Sequence, residues 1–542
     1  MTSPDVWVGI DLGTTGARAL AADREGRVLG RGVVPLTSHR DGVRHTQSPH
    51  EWWTAAATAC RRALRDVPPG RVGGVAVDAT SGTVLLTGSD GEALTPALMY
   101  DDGRAEQEAA EVNSCGGEVW ERLGYGNMQR SWGLPKLCRL LRGLREGERL
   151  REGDAARASG ASGARLTHQN DYVNRRLTGH ATATDSSHAL KSGYDLTEDD
   201  WPRHVLEALA IPHEVLPPVV APGTTLGRVC EAASEQTGLP PGTRVTAGMT
   251  DGCAAQLAVG ATEIGDVNSV LGTTLVVKGV SPRLPRDPAG AVYAHRSPTG
   301  LWLPGGASSA GGRALEAAFP SERFAALDAA AERHGPAGTV AYPLPGTGER
   351  FPFAAPEAHG LLLEGPGGHG DETEHYRALL EGVAFVERLA LDRLDLLGVP
   401  TDGVLTLGGG GSGSRVWNAL RADVLGRPAR VTEQHGSAFG MALLAASTGW
   451  EEGAGDGGAR GAGGGGSGGG DGGDGGSGGG GRAAADIGAA SRAMVRVRET
   501  FEPRTQHREP LLRNYRRLVR ELERRGWLPS ELAEHAVARS LT

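Results

Sequence analysis

A carboxylate and a glycine–threonine turn follow the first apolar segment of the chain. Residues 6–10 predict a buried strand, and Asp11, Gly13, Thr14 and Thr15 come directly after it. A tight glycine turn exposes several backbone N–H groups in one concavity, and threonine hydroxyls add donors, an arrangement that suits phosphate oxygens. A carboxylate at the strand end can hold Mg²⁺, usually through water. An ordinary hairpin turn is the alternative interpretation of this motif alone.

A second copy of this turn occurs in the other half of the sequence. The tetrapeptide at residues 12–15 is repeated letter for letter by Leu271, Gly272, Thr273 and Thr274. Each copy opens a predicted hairpin, which indicates a duplicated domain, although a four-residue identity can also arise by chance. If the two halves face each other, the two turns would hold a phosphate chain from opposite sides.

A third glycine-rich segment lies between a predicted strand and a predicted helix. Residues 404–407 are apolar, residues 408–414 include Gly410, Gly411 and Ser414, and a helical pattern begins near Trp417. Glycines at such a junction let a flat ligand approach the backbone closely. A flexible surface loop is the alternative. The later run 436–440 is predicted to open a helix of small residues that completes the floor of a nucleotide pocket.

A lone carboxylate lies at the predicted start of another helix. Asp251 stands in the segment Gly-Met-Thr-Asp-Gly at residues 248–252, before an apolar helical run. Phosphoryl transfer to an alcohol needs a carboxylate that orients the hydroxyl and accepts its proton. A plain helix cap is the alternative role for an aspartate at this position.

Alternating strands and helices arrange these motifs in two α/β domains. Residues 6–34 predict a three-stranded meander and residues 72–77 a buried central strand, and the pattern shifts near residue 247. We therefore predict an N-terminal domain over 1–246 and a C-terminal domain over 247–542. The segment 453–481 is nearly all glycine, so we expect a disordered insert in a surface loop.

Composition limits the possible partners. The net charge is -9, with 39% hydrophobic residues and no basic stripe, so we expect no nucleic acid partner. The sequence shows no signal peptide and no apolar run of roughly 20 residues, so we expect no membrane association. Five cysteines without a paired motif argue against disulfides and zinc and fit the cytoplasm.

In this order and spacing, the motifs resemble the FGGY family of carbohydrate kinases. The resemblance implies two actin-like (ribonuclease H-like) ATPase domains with a cleft between them, ATP and Mg²⁺ as cofactors, Asp11 as the metal residue and Asp251 as catalytic base. It also implies a nucleotide site made of Thr14, Thr15, Gly272, Thr273, Thr274, Gly311, Gly410, Gly411 and Ser414. Gly311 belongs to the glycine-rich stretch 305–312, which resembles the family's loop beside the nucleotide.

Two segments resemble the D-ribulokinase branch of the family. Residues 77–83 read Val-Asp-Ala-Thr-Ser-Gly-Thr where xylulokinases usually carry a Met-His pair, and residues 100–104 are similar to the family's sugar motif. The resemblance implies that Ser81, Asp102 and Asp251 contact the sugar. Residues 189–194 also resemble this branch, but we expect Lys191 in them to be a solvated loop lysine. Ser414 stands where many members have asparagine.

The sequence therefore predicts a cytoplasmic, ATP-dependent kinase that phosphorylates the terminal hydroxyl of a ketopentose, with D-ribulose as the first candidate. D-Xylulose, L-ribulose or a polyol as substrate are the nearest alternatives. An actin-like ATPase such as a chaperone or filament protein, and a kinase-shaped protein without catalysis, are the more distant ones. The oligomeric state is open, with a homodimer among the alternatives.

Overall fold

The structure is a computed structural model that describes residues 4–146, 163–365, 371–450 and 486–541. The glycine tract at 453–481 lies outside the described residues, so the expectation of disorder stays a prediction. In the described part of the chain no helix has the length and apolarity needed to cross a membrane. The five cysteines, all of them described, are unpaired.

The first half of the chain contains strands β1–β13 and helices α1–α8. The strands are β1 (Val6–Leu12), β2 (Gly16–Asp23), β3 (Val28–Pro35), β4 (His39–Asp41), β5 (Arg44–Gln47), β6 (Val72–Ala79), β7 (Val84–Thr87), β8 (Ala97–Leu98), β9 (Arg165–His168), β10 (Thr184–Asp185), β11 (Val219–Val220), β12 (Thr225–Arg228) and β13 (Arg244–Thr246). The helices are α1 (Pro49–Ala63), α2 (Glu106–Arg122), α3 (Gly133–Arg145), α4 (Gln169–Thr178), α5 (Ser186–Ala189), α6 (Arg203–Ala208), α7 (Glu231–Thr237) and α8 (Asp251–Ala258).

The second half contains strands β14–β22 and helices α9–α16. The strands are β14 (Val267–Leu271), β15 (Leu275–Gly279), β16 (Tyr293–Arg296), β17 (Trp302–Ser308), β18 (Val340–Tyr342), β19 (Leu361–Leu363), β20 (Leu405–Gly408), β21 (Ala429–Thr432) and β22 (Val497–Phe501). The helices are α9 (Arg313–Ala318), α10 (Phe324–His334), α11 (Glu372–Leu396), α12 (Arg415–Leu425), α13 (Ser437–Ser447), α14 (Ile487–Met494), α15 (Thr505–Arg524) and α16 (Ser530–Arg539).

Each half is built on one central sheet. The first has the strand order β12-β13-β6-β1-β2-β3, in which β1, β2 and β3 form the predicted antiparallel meander and β6 and β13 run parallel to β1. All seven residues of β1 are buried, as the apolar run predicts for a central strand. The pairing continues past the end of β13, because Thr250 bridges to Ala79. The boundary at residue 246 stays a prediction.

The second sheet repeats the first. Its order is β16-β17-β15-β14-β20-β21-β22, in which β14, β15 and β17 are antiparallel and β20 and β21 run parallel to β14. The first three strands of each sheet, and the two parallel strands beside them, therefore have the same order and directions. The duplication predicted from the repeated tetrapeptide is confirmed at the level of topology.

Helices α8 and α13 join the two halves. The small residues of α13 let it approach both β1 and α8 closely: a Cβ added at Gly9 would lie 1.7 Å from the carbonyl oxygen of Ala438. A Cβ added at Gly440 would lie 1.9 Å from the carbonyl oxygen of Ala254. Such contacts leave no space for a larger side chain, so the glycines fix how near the helix lies to the sheet.

The chain after the glycine tract returns to the second half. Helix α15 buries the apolar face that the sequence predicts, which consists of Leu511, Leu512, Tyr515, Leu518, Val519 and Leu522. All of these except Leu512 belong to the hydrophobic core of that half. The two ends that flank the tract are close together, since the backbone N–H of Asp486 donates to the carbonyl oxygen of Ser447 at 3.2 Å. A short connection could therefore replace the tract.

We predict that deletion of residues 453–481 leaves activity and folding intact. Loop closure depends weakly on length, and the flanking helices already meet, so we expect kcat/KM within about twofold of the full chain. Steady-state kinetics and thermal unfolding of the purified deletion variant measure this. A large loss of kcat/KM in a folded variant would show that the tract contributes to the site.

Candidate active site

Three carboxylates lie at neighbouring strand ends of the first sheet. In the parallel pair of β1 and β6, Asp11 is in register with Asp78. On the other side of β6, Thr250 is in register with Ala79, and Asp251 follows it directly. Because the carboxyl ends of parallel strands meet at one edge of a sheet, ligands of α/β proteins commonly bind there. The fold therefore brings Asp11, Asp78 and Asp251 to one edge.

The pair Asp11 and Asp78 is buried with little positive charge to balance it. Arg18, opposite Asp11 on β2, donates from Nη1 to Asp11 Oδ2 at 3.0 Å. Burial raises the pKa of Asp11, and the charge of Asp251 raises it further, whereas Arg18 lowers it. Asp78 is fully buried, and burial together with the charges of Asp11 and Asp251 raises its pKa well above the ordinary value.

The carboxylates fit a hydrated Mg²⁺ ion. Both oxygens of Asp78 are buried, and no N–H or hydroxyl group of the described residues donates to them. The side chains that act on Asp78 most strongly, Asp11 and Asp251, are themselves carboxyls, so the site lacks a positive partner for this carboxylate. Among the described residues no three His, Cys, Asp or Glu side chains form a direct metal site. Mg²⁺ typically uses one or two carboxylates and completes its shell with water and phosphate oxygens, which suits Asp11 and Asp78.

Asp251 is the first residue of α8, and its position differs from that of a plain helix cap. Thr250 occupies the N-cap position, and Asp251 Oδ1 accepts from the backbone N–H of Gly252 at 2.7 Å. The hydroxyl of Ser437, the first residue of α13, donates to the carbonyl oxygen of Asp251 at 3.1 Å. Burial raises the pKa of Asp251, while the charges of Lys191, His188 and Lys278 lower it.

The two repeated turns form the tips of equivalent hairpins. In the first, the N–H of Gly13 donates to the carbonyl oxygen of Gly16 at 3.1 Å, and Thr15 is exposed at the tip. In the second, the N–H of Gly272 donates to the carbonyl oxygen of Thr274 at 3.0 Å, and Thr273 is exposed. The predicted phosphate-binding residues therefore occupy matching places at the tips of the two sheets.

Glycine-rich turns enclose the second hairpin tip. A Cβ added at Gly311 would lie 2.6 Å from the carbonyl oxygen of Thr273, and one added at Gly411 would lie 2.6 Å from Leu271 Cδ2. A Cβ added at Gly410 would meet no atom within 4 Å among the described residues. The structure thus brings Gly311 and Gly411 of the predicted nucleotide site against one hairpin.

The structure corrects two predictions about the nucleotide site, one for residues 305–308 and one for Ser414. Residues 305–308, predicted as part of a glycine-rich loop, belong to strand β17 and pair with β15, so the turn is confined to 309–312. The hydroxyl of Ser414 caps α12 by accepting from the N–H of Trp417 at 3.1 Å, and it donates to Asp328 Oδ2 at 2.7 Å. Because the Ser414 hydroxyl already makes these two hydrogen bonds, a nucleotide would have to compete with them to bind it.

The other two predicted sugar residues, Ser81 and Asp102, differ in whether their side chains are already hydrogen-bonded. Ser81 lies in the turn after β6, and its buried Oγ has no partner within the described residues. Asp102 is different: Oδ2 accepts from the N–H of His45 at 2.8 Å and from Arg104 Nη2 at 2.8 Å, and Oδ1 accepts from Arg104 Nε at 3.0 Å. The structure shows Asp102 fixing its own loop, so a sugar contact would compete with these bonds.

The expectation of a solvated Lys191 is wrong. Its Nζ lies 5.5 Å from the ring centroid of Trp132 and 5.3 Å from that of Tyr293, in cation–π contact with both. The two rings come from different halves of the chain, so no local pattern could show that they enclose this lysine.

A buried His–Asp pair supports the segment before Asp251. His188 Nδ1 and Asp185 Oδ2 are 2.7 Å apart, and His188 Nε2 is buried without a partner within the described residues. The hydroxyl of Ser187 accepts from the N–H of Thr250 at 2.9 Å. Neither this pair nor Asp78 was among the site residues predicted from the sequence, although Asp78 lies near the end of a buried strand as Asp11 does.

Comparison with known proteins agrees with this architecture. The N-terminal domain of the FGGY family of carbohydrate kinases matches residues 6–258, and the C-terminal domain of that family matches residues 267–449. The chain is 32% identical over 442 residues to xylulose kinase of Streptomyces coelicolor, covering 79% of this chain and 84% of that protein. It is 28% identical over 454 residues to xylulose kinase of Escherichia coli, covering 81% and 89%.

A solved structure shows the same fold. The crystal structure of xylulose kinase from Rhodospirillum rubrum superposes with a TM-score of 0.77 at 28% identity, covering 96% of this chain and 99% of that one. The two-domain α/β fold and these relatives define the class of the protein, which is a sugar kinase. The chain belongs to the FGGY family of carbohydrate kinases.

We predict that Asp78→Asn stabilises the protein in Mg²⁺-free buffer at pH 7.5. The folded state raises the pKa of Asp78 above its value in the unfolded chain, so ionised Asp78 opposes folding at neutral pH. A neutral asparagine removes that cost, and we expect a higher Tm. The gain should shrink as the pH falls through the raised pKa toward the ordinary carboxyl pKa, because Asp78 is then neutral in the folded state and becomes increasingly protonated in the unfolded chain.

Thermal unfolding of wild type and variant between pH 4 and pH 7.5 measures this effect, with the exposed Asp66→Asn as control. A variant with lower Tm than wild type at pH 7.5 would contradict the account, since it would mean that the fold uses the Asp78 carboxylate as an acceptor.

Proposed function

We propose that this protein transfers the γ-phosphoryl group of ATP to the terminal hydroxyl of an open-chain ketopentose, with D-ribulose as the first candidate and D-ribulose 5-phosphate as its product. The observation that carries the proposal is the position of Asp251. It follows the strand bridge between Ala79 and Thr250, and its charge raises the pKa of both Asp11 and Asp78. A base and a metal-binding pair would thus share one site.

On the nucleotide side, the repeated turns and glycine loops would hold ATP. Asp11, with Asp78 beside it, would hold Mg²⁺, which when bound neutralises the phosphate charge. The phosphate-binding groups are the backbone N–H groups and hydroxyls of Thr14, Thr15, Gly272, Thr273 and Thr274. The adenosine would lie against Gly311, Gly410 and Gly411. Ser414 would be near it but contribute less, because its hydroxyl already donates to Asp328.

On the acceptor side, Asp251 orients the sugar hydroxyl and accepts its proton. Its carboxylate is held by the N–H of Gly252 and lies among Lys191, His188 and Lys278, whose charges favour the ionised form that a base needs. Ser81 offers a buried hydroxyl without a partner within the described residues, which suits a sugar contact. Most of the rate enhancement comes from positioning and charge neutralisation.

Two acceptors are the main candidates. The segment 77–83, which lacks the Met-His pair, favours D-ribulose, whereas the relatives named xylulose kinase favour D-xylulose.

We place the enzyme in the cytoplasm, with ATP and a small sugar as its partners. The chaperone or filament alternative is set aside because the chain belongs to a kinase family.

A panel of D-ribulose, D-xylulose, L-ribulose and ribitol, assayed with ATP and Mg²⁺, decides among the neutral acceptors. Differences in hydroxyl orientation change kcat/KM when a site hydrogen-bonds those hydroxyls, and we expect D-ribulose to rank first. A higher kcat/KM for D-xylulose would show that D-xylulose is the substrate, and the proposal of a sugar kinase would remain.

We predict that Asp251→Asn lowers kcat by about 10²–10⁴-fold with D-ribulose, because the acceptor proton then has no base. ATP binding should persist, since the phosphate turns are unchanged. Steady-state kinetics and nucleotide calorimetry measure both effects. Asp66→Asn, on an exposed residue, is the matched control; near-normal turnover in folded Asp251→Asn would remove Asp251 from this role.

We also predict an acidic limb in the pH profile of kcat/KM that reports Asp251. Burial raises its pKa, so activity should fall as the pH drops through a value above that of an exposed aspartate. Lys191→Met removes a positive charge that lowers this pKa, so the limb should move to higher pH. The profile measured from pH 4.5 to 8.5 with D-ribulose tests this, and a limb that moves to lower pH contradicts it.

A further inference from the structure

Glu349 is a buried carboxylate to which the proposed mechanism gives no role. It lies in the segment between β18 and β19, and only 4% of its surface is exposed. In the described part of the chain its interactions are hydrogen bonds, and no lysine, arginine or histidine side chain is paired with it. A buried charge without a cation is costly unless hydrogen bonds satisfy it, so packing alone does not explain a glutamate at this position.

Four donors occupy the two oxygens of this carboxylate. Oε1 accepts from the backbone N–H of Ser309 at 2.7 Å and from that of Arg350 at 3.0 Å. Oε2 accepts from the hydroxyl of Ser308 at 2.8 Å and from that of Tyr342 at 3.1 Å. Burial raises the pKa of Glu349, whereas these four hydrogen bonds lower it, because each of them favours the ionised form.

Two of the four donors connect Glu349 to the nucleotide turn, by which we mean residues 309–312. Ser309 is the first residue of this turn, and Ser308 ends β17 immediately before it. The Ser308 hydroxyl also accepts from the N–H of Ala310 at 3.0 Å. Glu349 therefore holds two successive N–H groups of the turn, one directly and one through Ser308.

The nucleotide turn is hydrogen-bonded to the second threonine turn, residues 272–274. The N–H of Gly312 donates to the carbonyl oxygen of Gly272 at 2.8 Å, and the N–H of Leu275 donates to the carbonyl oxygen of Ala310 at 2.8 Å. These bonds lie on either side of the threonine turn. A displacement of the nucleotide turn would therefore also displace the second group of predicted phosphate-binding residues.

The other two donors fix Glu349 itself. Tyr342 belongs to β18 and to the hydrophobic core of the second half. Arg350 follows Glu349 directly, and its Nε donates to the carbonyl oxygen of Ala307 on β17 at 2.9 Å. Glu349 thus connects the packed core to the nucleotide turn. A binding site that is held in place in this way loses less conformational freedom when its ligand binds.

We propose that Glu349 is a positioning residue of the ATP site, which holds the nucleotide turn and the second threonine turn in the arrangement that binds ATP. This inference rests on the proposed kinase function and adds to it a residue that sets the affinity for ATP. Without Glu349, two backbone N–H groups lose their acceptor and the turn relaxes. ATP must then order the turn on binding, so Kd and KM for ATP rise.

The two hydroxyls on Oε2 provide a matched pair of variants. Ser308→Ala removes the donor that continues into the nucleotide turn, whereas Tyr342→Phe removes the donor that ends in the core. We expect Ser308→Ala to raise KM for ATP at least about fivefold, because the N–H of Ala310 then lacks an acceptor. Tyr342→Phe should keep KM for ATP within about twofold of wild type. An equal KM for ATP in the two variants would overturn the proposal.

Two substitutions test Glu349 directly. Glu349→Ala removes every acceptor, and we expect KM for ATP to rise at least about tenfold while KM for the sugar acceptor stays within about twofold. In Glu349→Gln the amide oxygen still accepts from the two N–H groups and the amide N–H groups donate to the two hydroxyls, which rotate to accept. KM for ATP in this variant should stay within about threefold of wild type.

Glu374→Ala is the control for a general loss of stability. Glu374 is a buried glutamate whose Oε1 accepts from the N–H of Thr339 at 2.6 Å rather than from the nucleotide turn. We expect this variant to keep the wild-type KM for ATP even where its Tm falls as far as that of Glu349→Ala. A comparable rise of KM for ATP in Glu374→Ala, or equal rises of KM for ATP and for the sugar in Glu349→Ala, would contradict a positioning role.

Calorimetry with Mg²⁺ and a non-hydrolysable ATP analogue, in the absence of sugar, separates this proposal from the kinase function. Thermal unfolding checks the folding of each variant, and the pair Ser308→Ala and Tyr342→Phe decides the matter if Glu349→Ala does not fold. Wild-type Kd in Ser308→Ala, with sugar phosphorylation intact, would overturn the positioning role and leave the kinase function. Weakened binding in Ser308→Ala alone, in a protein that phosphorylates no sugar, would support the positioning role and overturn the proposed function.

Discussion

The structure depends on the burial of three like charges at neighbouring strand ends. Parallel pairing of β1 with β6 puts Asp11 beside Asp78, and the bridge from Ala79 to Thr250 adds Asp251. Burial raises the pKa values of all three carboxyls, and the charge of Asp251 raises those of Asp11 and Asp78 further, so the ligand-free state carries a cost. A site of this kind is suited to a metal ion and to proton transfer, and such perturbed carboxyls commonly mark functional sites.

The remaining features of the site place positive groups around these carboxylates. Arg18 is opposite Asp11 on the antiparallel neighbour strand, whereas Lys191 and Lys278 reach Asp251 from the two halves of the chain. Helices α8 and α13 hold the halves together, because glycines at their contacts allow main chains to approach within van der Waals distance. The relative position of the charges is therefore set by the packing of the two domains.

Much of this arrangement could be predicted from the sequence. The meander, the central strand of residues 72–77 and the duplicated turn all follow from local periodicity and glycine chemistry, and the structure contains each of them. The strand order of the two sheets was not predicted. Asp11 and Asp251 were found because each lies next to a recognisable turn or helix start. Asp78 has the same strand-end position as Asp11 and could have been found by that rule.

Contacts between distant segments could not be predicted in the same way. Lys191 contacts rings from residues 132 and 293, and Asp102 is bonded to Arg104 and the backbone of His45, so neither environment is visible in local sequence. Residues 305–308 were placed in a glycine-rich loop because the stretch 305–312 resembles the family's loop beside the nucleotide. In the structure the missing side chains allow β17 to pass close to Phe351 and Lys278.

The most direct measurement is a crystal structure of the protein with Mg²⁺, a non-hydrolysable ATP analogue and a sugar acceptor. The account predicts Mg²⁺ beside Asp11 and Asp78, the triphosphate between the two threonine turns, and the acceptor hydroxyl within hydrogen-bonding distance of Asp251. A nucleotide bound away from both turns, or an acceptor that does not contact Asp251, would contradict it.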